Sequence, residues 1–359
     1  MSEILNLSNE KRKLFLDFHI PDSLFKYTSL NEYMIEDLEK GRITSSSFIN
    51  FNDVFDSKMH YSSLNSTEMK NIKLKEMQNT IEYMKSSVPG YILSEADKKS
   101  LEDEINIQTG QYEMTQRHSL SYLTSDLRIF CLSSKRDSNL MWSHYTNNHR
   151  GICIEYDFNT ITLNTHGKEN LTKKLFFPVV YCNKPIDVTD LMQSHKHLDA
   201  ELGVICSAIV KSNDWAYEDE WRILLPLMND ENKHIRFPIN GLNLKPKCIY
   251  LGSQFSYSLS DIIYANKDKS MEEKSQSKEK ILNIVERLLN FVEKENITIR
   301  LSTPIIGAFN YDFPELNISK LKKWFSEYYK HSRIEYHLIN VINEALIACK
   351  KNFNGGFIL

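Results

Sequence analysis

Two carboxylates and a guanidinium, the residues best suited to chemistry, lie close together at Glu218, Glu220 and Arg222, directly before an apolar Ile-Leu-Leu run. In a β-strand alternate side chains point to the same face, so a strand over 217–225 would place all three on one face. Burying a charge is costly unless it is paired. The segment therefore predicts either a structural ion pair or a functional site where a strand enters the core.

One chemical interpretation of this segment competes with a purely structural one. Glu220 and Arg222 can neutralise each other across one pleat, and such networks perturb carboxylates without doing chemistry; the segment alone favours this interpretation. Glu218 and Glu220 can also act as the acid and base of a hydrolase, since same-face neighbours lie roughly 6.5–7 Å apart. The sequence offers this pair no obvious partner histidine or nucleophile.

Composition limits the class of protein. With 359 residues, 41% hydrophobic residues and a formal charge of -3, the chain is typical of a globular protein and not of a generally basic nucleic-acid binder. No apolar run approaches the roughly 20 residues that a membrane span needs, and the N-terminus lacks a signal-peptide core. Six cysteines occur singly, without zinc-type spacing. We expect a cytoplasmic protein with no metal and no membrane partner.

Predicted strands occur in groups that are not separated by one helix each, which favours an α+β fold with a mostly antiparallel sheet. We expect a core over 1–301 with a helical insertion over about 61–125, and a helical extension over 302–359 that could serve oligomerisation. Strands are predicted at 24–29, 42–47, 128–133, 152–158, 176–182, 217–225, 234–238, 247–252 and 298–301. Helices are predicted at 31–40, 67–85, 94–122, 139–147, 190–211, 281–293, 319–329 and 333–350.

Three stretches, over 24–53, 130–158 and 211–252, resemble a bacterial family known as domain of unknown function 2971. They contain Leu-Phe-Lys-Tyr-Thr-Ser-Leu-Asn with Ser-Ser-Ser-Phe-Ile-Asn-Phe-Asn-Asp, then Met-Trp-Ser-His-Tyr-Thr-Asn-Asn-His-Arg-Gly-Ile-Cys-Ile-Glu-Tyr-Asp-Phe, then Trp-Ala-Tyr-Glu-Asp-Glu-Trp-Arg with Ile-Tyr-Leu-Gly. The resemblance spans about 24–300. The chain departs from the pattern at Val54, where the family usually has proline.

The order of these pieces is also similar, at the level of the fold, to ADP-ribosyltransferases, especially those that modify nucleic acids. That similarity implies a split sheet and NAD as substrate. It implies Glu220 as the catalytic carboxylate beside the ribose, with Glu218 as second choice. Implied NAD-binding groups are Tyr27 for the nicotinamide ring, Ser45 and Ser46 for its neighbours, and Lys26 or Arg222 for the pyrophosphate. His144 and Tyr145, from the family stretch, are pocket-lining candidates.

Three functions follow as hypotheses. The first is an ADP-ribosyltransferase-like enzyme, a toxin or anti-phage defence protein whose acceptor is a protein or a nucleic acid; the second is an NAD glycohydrolase. The third is a non-catalytic recognition module whose aromatic loop over 48–55 binds a peptide or single-stranded nucleic acid. The enzymatic hypotheses require an open cavity in front of Glu220. If Arg222 closed off this carboxylate and no cavity faced it, only a scaffold would be left.

Overall fold

The fold is built on a nine-stranded, mostly antiparallel sheet, with the strand order β11-β10-β4-β1-β3-β2-β9 along its main path and with β8 and β5 attached to β3. A computed structural model of the chain describes residues 21–57, 66–107, 109–110, 127–158, 176–187, 197–226, 234–238, 244–256, 271–305 and 307–326. Within the nine-stranded sheet the β10–β11 pair is parallel, and the other pairs are antiparallel. The predicted α+β class with a mostly antiparallel sheet is confirmed.

The strands and helices that the structure describes alternate irregularly along the chain. The strands are β1 Ser23–Thr28, β2 Arg42–Ser46, β3 Leu127–Ser133, β4 Ile152–Asp157, β5 Phe176–Pro178, β6 Val180–Cys182, β7 Val210–Ser212, β8 Glu220–Pro226, β9 His234–Pro238, β10 Lys245–Leu251, β11 Thr298–Leu301, β12 Thr303–Pro304 and β13 Tyr311–Asp312. The α-helices are α1 Glu32–Glu39, α2 Ser66–Ser87, α3 Asn139–Tyr145, α4 His197–Ile209, α5 Met271–Lys294 and α6 Ile318–Trp324. Short 3-10 helices cover Phe48–Asn50 and Asn213–Glu218.

The unit β1–α1–β2 forms as its sequence predicts. Asn31 caps α1, since its side-chain oxygen accepts a hydrogen bond from the backbone N–H of Met34 at 2.8 Å. Gly41 follows the helix with φ 56°, a left-handed conformation that glycine adopts at little cost. The helix buries Ile35 and Leu38 against the sheet, whereas Glu39 at its end is exposed. The turn at Gly41 then returns the chain into β2.

The sheet is split where β1 and β2 meet β3. One edge of β3 pairs with β8 along all seven of its residues. The other edge pairs with β1 only at Phe25–Ser133 and with β2 only at Ser46–Ile129. Between these two points β1 and β2 diverge, which opens a gap in the sheet beside Cys131. The backbone carbonyl of Cys131 accepts a hydrogen bond from Lys26 Nζ at 3.0 Å, so this buried acceptor is satisfied by a side chain in the gap.

The largest buried apolar cluster joins one face of the sheet to α1 and α5, and its members include Ile35, Ile154, Leu288 and Val292. On the other face a smaller cluster packs Phe25, Tyr27 and Trp142. The spacing that predicted a helix over 281–293 is confirmed inside the longer α5.

The predicted insertion contains α2 and, besides the labelled helices, a further helix over 95–107. Past residue 301 the described residues form the hairpin β12–β13 and α6. The helix predicted over 333–350 lies outside the described residues. Among the helices that the structure describes, none combines the length and the apolar character that crossing a membrane requires.

Candidate functional site

The two glutamates are presented by a turn and not by one continuous strand. Residues 213–218 form a 3-10 helix, Asp219 adopts the left-handed conformation with φ 45°, and β8 begins at Glu220. The side chain and backbone carbonyl of Asp219 both accept hydrogen bonds from Ser134, which fixes the turn against the end of β3. The strand predicted from residue 217 is therefore wrong at its start, and Glu218 does not share a strand face with Glu220. The turn nevertheless directs both carboxylates to the same ammonium group, that of Lys211.

Arg222 is enclosed in the protein and joins two carboxylates. Its side chain is 0% exposed. Nε donates to Glu220 Oε1 at 2.9 Å and Nη2 donates to Glu220 Oε2 at 3.0 Å. On the opposite side, Nη1 and Nη2 donate to the two oxygens of Asp56 at 2.8 and 2.7 Å. The predicted Glu220–Arg222 pair is thus one half of an Asp56–Arg222–Glu220 bridge, and Arg222 presents no free nitrogen for the pyrophosphate role predicted for it.

Lys211 is the second cation of this buried group. Its ammonium lies 2.5 Å from Glu218 Oε2, 3.2 Å from Glu220 Oε2 and 3.4 Å from Asp56 Oδ2. The strand β7, directly before the 3-10 helix, places it there. We call Asp56, Lys211, Glu218, Glu220 and Arg222 the charged cluster. The cluster holds three carboxylates and two cations, so one carboxylate has no full countercharge when all three are ionised.

The pKa values of the two glutamates are shifted in opposite directions. Burial alone would raise the pKa of Glu220, but the charges of Arg222 and Lys211 outweigh burial and lower this pKa to about 2. Burial raises the pKa of Glu218, and the neighbouring Glu220 charge adds to this effect, although Lys211 opposes it. Glu220 is therefore ionised at neutral pH, whereas Glu218 accepts a proton more readily than Glu220 does. Carboxylates whose pKa values are pushed apart are typical of acid–base sites.

A cavity of about 380 Å³ opens in front of the cluster. Its wall is formed by residues of β1 and β2 beside the gap in the sheet, by the loop after β2 and by α3. Seven of the nine candidate residues lie on this wall: Lys26, Tyr27, Ser46, His144, Tyr145, Glu218 and Glu220. Glu220 is held by its own strand's arginine, yet it also faces open space. Besides the bonds from Arg222 and Lys211, Cys131 on the same wall is a hydrogen-bond partner of this carboxylate.

The remaining two candidates lie away from the cavity wall. Ser45 is 0% exposed inside β2, where its side chain points away from the wall that Thr44 and Ser46 help to form. Arg222 lies behind Glu220. The part of the prediction that placed these two residues beside a ligand does not agree with the structure, because alternation along β2 and the Asp56 contact direct both side chains inward.

The aromatic candidates have defined partners. The hydroxyl of Tyr27 donates to the carbonyl of Lys135 at 2.8 Å, and its ring meets Trp142 edge-on at 5.2 Å. Tyr27 is thus both a core residue and a cavity residue. The hydroxyl of Tyr145 donates to Glu218 Oε1 at 2.5 Å, and Nδ1 of His144 lies 2.9 Å from the hydroxyl of Tyr217. Tyr145 therefore orients Glu218 directly.

Sequence reasoning missed Asp56 and Lys211 as functional residues. Lys211 lies at the start of the third stretch that resembles the family, but its spacing from Glu218 and Glu220 does not indicate a contact with them. Asp56 directly follows the aromatic loop over 48–55, in which Asp53 Oδ1 accepts a hydrogen bond from the N–H of Phe55 at 2.8 Å. Cys131 also lines the cavity, and burial together with the Glu220 charge raises the pKa of its thiol well above the ordinary value, which disfavours a nucleophilic role.

Comparison with known proteins agrees with part of the resemblance. Residues 141–223 match the family model described as protein of unknown function, DUF2971. This match covers α3 and extends through the 3-10 helix to Glu220 and Arg222. No curated protein and no solved structure gives a significant match to the chain. Among the residues that the structure describes, no group of three or more His, Cys, Asp or Glu side chains is arranged to hold a metal ion.

The excess carboxylate leads to a prediction about stability. A carboxyl whose pKa is raised on folding contributes stability below its ordinary pKa, and that contribution is lost as pH rises through the folded value. We expect Glu218→Gln to remove this loss, so that its Tm relative to wild type increases as pH rises from about 4.5. The pH dependence of Tm, followed by circular dichroism, tests this.

Glu39→Gln is the matched control for that measurement. A hydrogen bond from Arg287 lowers the pKa of Glu39, so the linkage has the opposite sign. The Tm of this variant relative to wild type should fall as pH rises towards about 4.5 and change little above it. If Glu218→Gln behaves like Glu39→Gln, Glu218 is not the protonatable member of the charged cluster.

Proposed function

We propose that this protein cleaves the bond between nicotinamide and ribose in NAD and transfers ADP-ribose to an acceptor, as an ADP-ribosyltransferase-like enzyme. The observation that carries the proposal is an ionised, immobilised carboxylate, Glu220, on the wall of a cavity of about 380 Å³. The cavity is also lined by the rings of Tyr27, Phe51 and Tyr145. The carboxylate of Glu220 and the aromatic rings suit the cationic nicotinamide ring and the cation that forms on the ribose.

The first step of the proposed reaction is cleavage of the bond between nicotinamide and ribose, beside Glu220. Nicotinamide departs with both electrons of the bond between its ring nitrogen and ribose C1, which neutralises the ring and leaves positive charge on the sugar. Glu220 stabilises that developing charge more than it stabilises the ground state, which is the requirement for catalysis. Because Arg222 and Lys211 fix the carboxylate beforehand, no reorganisation is needed as the charge appears.

Glu218 has a distinct role in this proposal. The acceptor forms a new bond to C1 through an oxygen or nitrogen atom and must lose a proton. The raised pKa of Glu218 makes its ionised form a better base than an ordinary carboxylate. The hydroxyl of Tyr145 and the ammonium of Lys211 hold this carboxyl at the cavity wall. When water is the acceptor, the same steps give an NAD glycohydrolase.

The non-catalytic hypothesis is supported by a different observation. Phe55, in the aromatic loop, is 73% exposed, and the neighbouring Val54 is 70% exposed. The Asp56–Arg222 contact anchors the end of this loop. An anchored loop with exposed apolar side chains suits the binding of a partner, and in the enzymatic proposal it serves the acceptor.

The proposal is tested by incubating the purified full chain with NAD and quantifying free nicotinamide by chromatography. Reactions with water alone, with single-stranded nucleic acid and with a cell-protein mixture separate hydrolysis from transfer. Mass spectrometry then identifies any ADP-ribosylated acceptor. We expect release of nicotinamide in at least one reaction. If a folded protein releases none under all three conditions, the recognition module is the better description.

A further inference from the structure

A second cavity, of about 230 Å³, lies on the opposite side of the split from the charged cluster. Its wall combines Thr28 on β1, Ile43 on β2, Phe130 on β3 and α1, the side on which the larger apolar cluster packs. Lys26 and Thr44 belong to the walls of both cavities. The two cavities therefore share two wall residues at the gap where β1 and β2 diverge.

The two cavities differ in their charged side chains. The first contains the three carboxylates of the charged cluster and Lys211, with Arg222 enclosed behind its wall. The second contains Arg42 against a single carboxylate, Asp37, and Lys26 lies on the walls of both cavities. The pyrophosphate of NAD is anionic, so it matches the two cations on the wall of the second cavity.

Arg42 is incompletely paired for a guanidinium with limited exposure. Its side chain is 22% exposed, and its ion pairs to Glu36 and Asp37 are both long, at 3.5 Å. Its Nε is buried and has no hydrogen-bond partner among the described residues. Asp37 Oδ2 instead accepts a hydrogen bond from the hydroxyl of Thr44. Since the Nη2 contacts are long, the planar guanidinium is weakly held by its two carboxylates, and its shape suits the bidentate recognition of phosphate oxygens.

We propose that Arg42, together with Lys26, binds the pyrophosphate of the dinucleotide in this second cavity, while the charged cluster binds its nicotinamide riboside end. This inference rests on the proposed function, and it gives Arg42 the role that the sequence suggested for Arg222. Tyr33, 70% exposed at the same cavity, provides a ring face for the adenine base.

The test separates the two ends of the ligand by isothermal calorimetry. Adenosine diphosphate carries the phosphates without nicotinamide, and nicotinamide riboside carries the cationic ring without phosphate. We expect Arg42→Gln to weaken binding of adenosine diphosphate about tenfold or more, as for the loss of a charge-assisted contact, and to leave nicotinamide riboside unaffected. Glu220→Gln should show the reverse pattern. Arg42→Lys, which keeps the charge but not the fork, should be intermediate.

Lys40→Gln is the matched control, because Lys40 also pairs with Glu36 but lies outside the cavity wall. Melting temperatures confirm that each variant is folded. If wild-type protein does not bind adenosine diphosphate, or if Arg42→Gln binds it as wild type does, the inference is wrong even where NAD is cleaved. If adenosine diphosphate binding depends on Arg42 but NAD is never cleaved, the pyrophosphate site stands and the proposed function fails.

Discussion

Glu220→Gln is expected to slow nicotinamide release about 10²–10³-fold, the loss typical of removing one preorganised electrostatic group from an active site. The amide keeps the shape of the side chain and still accepts a hydrogen bond, but it has no charge to stabilise the ribosyl cation. We expect kcat to fall much more than the affinity for NAD, because the contact strengthens in the transition state. Steady-state assays of nicotinamide release measure both constants.

The control for this variant is Asp219→Asn. Asp219 is adjacent to Glu220 but pairs with Ser134 and Lys135, and asparagine tolerates the left-handed turn. Its activity should stay close to wild type. A Glu220→Gln protein with full activity would exclude the catalytic role. A Glu220→Gln protein that loses activity only in proportion to its folded fraction would make Glu220 a structural residue.

Arg222→Met is expected to lower the free energy of unfolding by about 3–5 kcal/mol, the range found when one partner of a buried ion pair is removed. The change leaves Asp56 and Glu220 buried with only Lys211 between them. Lysine would not replace Arg222 well, since its single ammonium cannot donate to both carboxylates in the same bidentate way. Urea denaturation at neutral pH, analysed at constant m-value, measures the loss.

Arg287→Met provides the comparison. Arg287 also joins two carboxylates, Glu32 and Glu39, but its side chain is 26% exposed. Exposed pairs contribute about 1 kcal/mol or less, so this variant should remain near wild type. Equal losses in the two variants would mean that burial of the Asp56–Arg222–Glu220 bridge has no special energetic role.

Local patterns predicted much of the fold because they report local physics. The capping side chain of Asn31, the glycine at 41 and the apolar spacing of α5 each act within a few residues. The interpretation of 217–225 as one strand failed at a local feature that alternation does not reveal, the left-handed Asp219. Asp56 could not be found in this way, because it lies 166 residues from Arg222 and no periodicity links the two positions.

In the candidate site too, features set by local sequence were predicted and features set by long-range contacts were not. The Glu220–Arg222 pair was accessible from spacing along one strand, and the cavity residues on β1, β2 and α3 came from the resemblance. That Ser45 points inward and Ser46 outward follows from the register of β2 with β3, which depends on a long-range contact. Whether Arg222 is available to a ligand likewise depends on a long-range contact, because Asp56 in the loop after β2 pairs with its guanidinium.

The balance of charge within the cluster has a consequence for relatives of this chain. The five members of the charged cluster come from separate parts of the sequence. Their charges nevertheless interact with one another within one buried group of ion pairs. We expect a change of charge sign at one of these positions to be accompanied by a compensating change at another, so that the five positions covary among relatives of this chain.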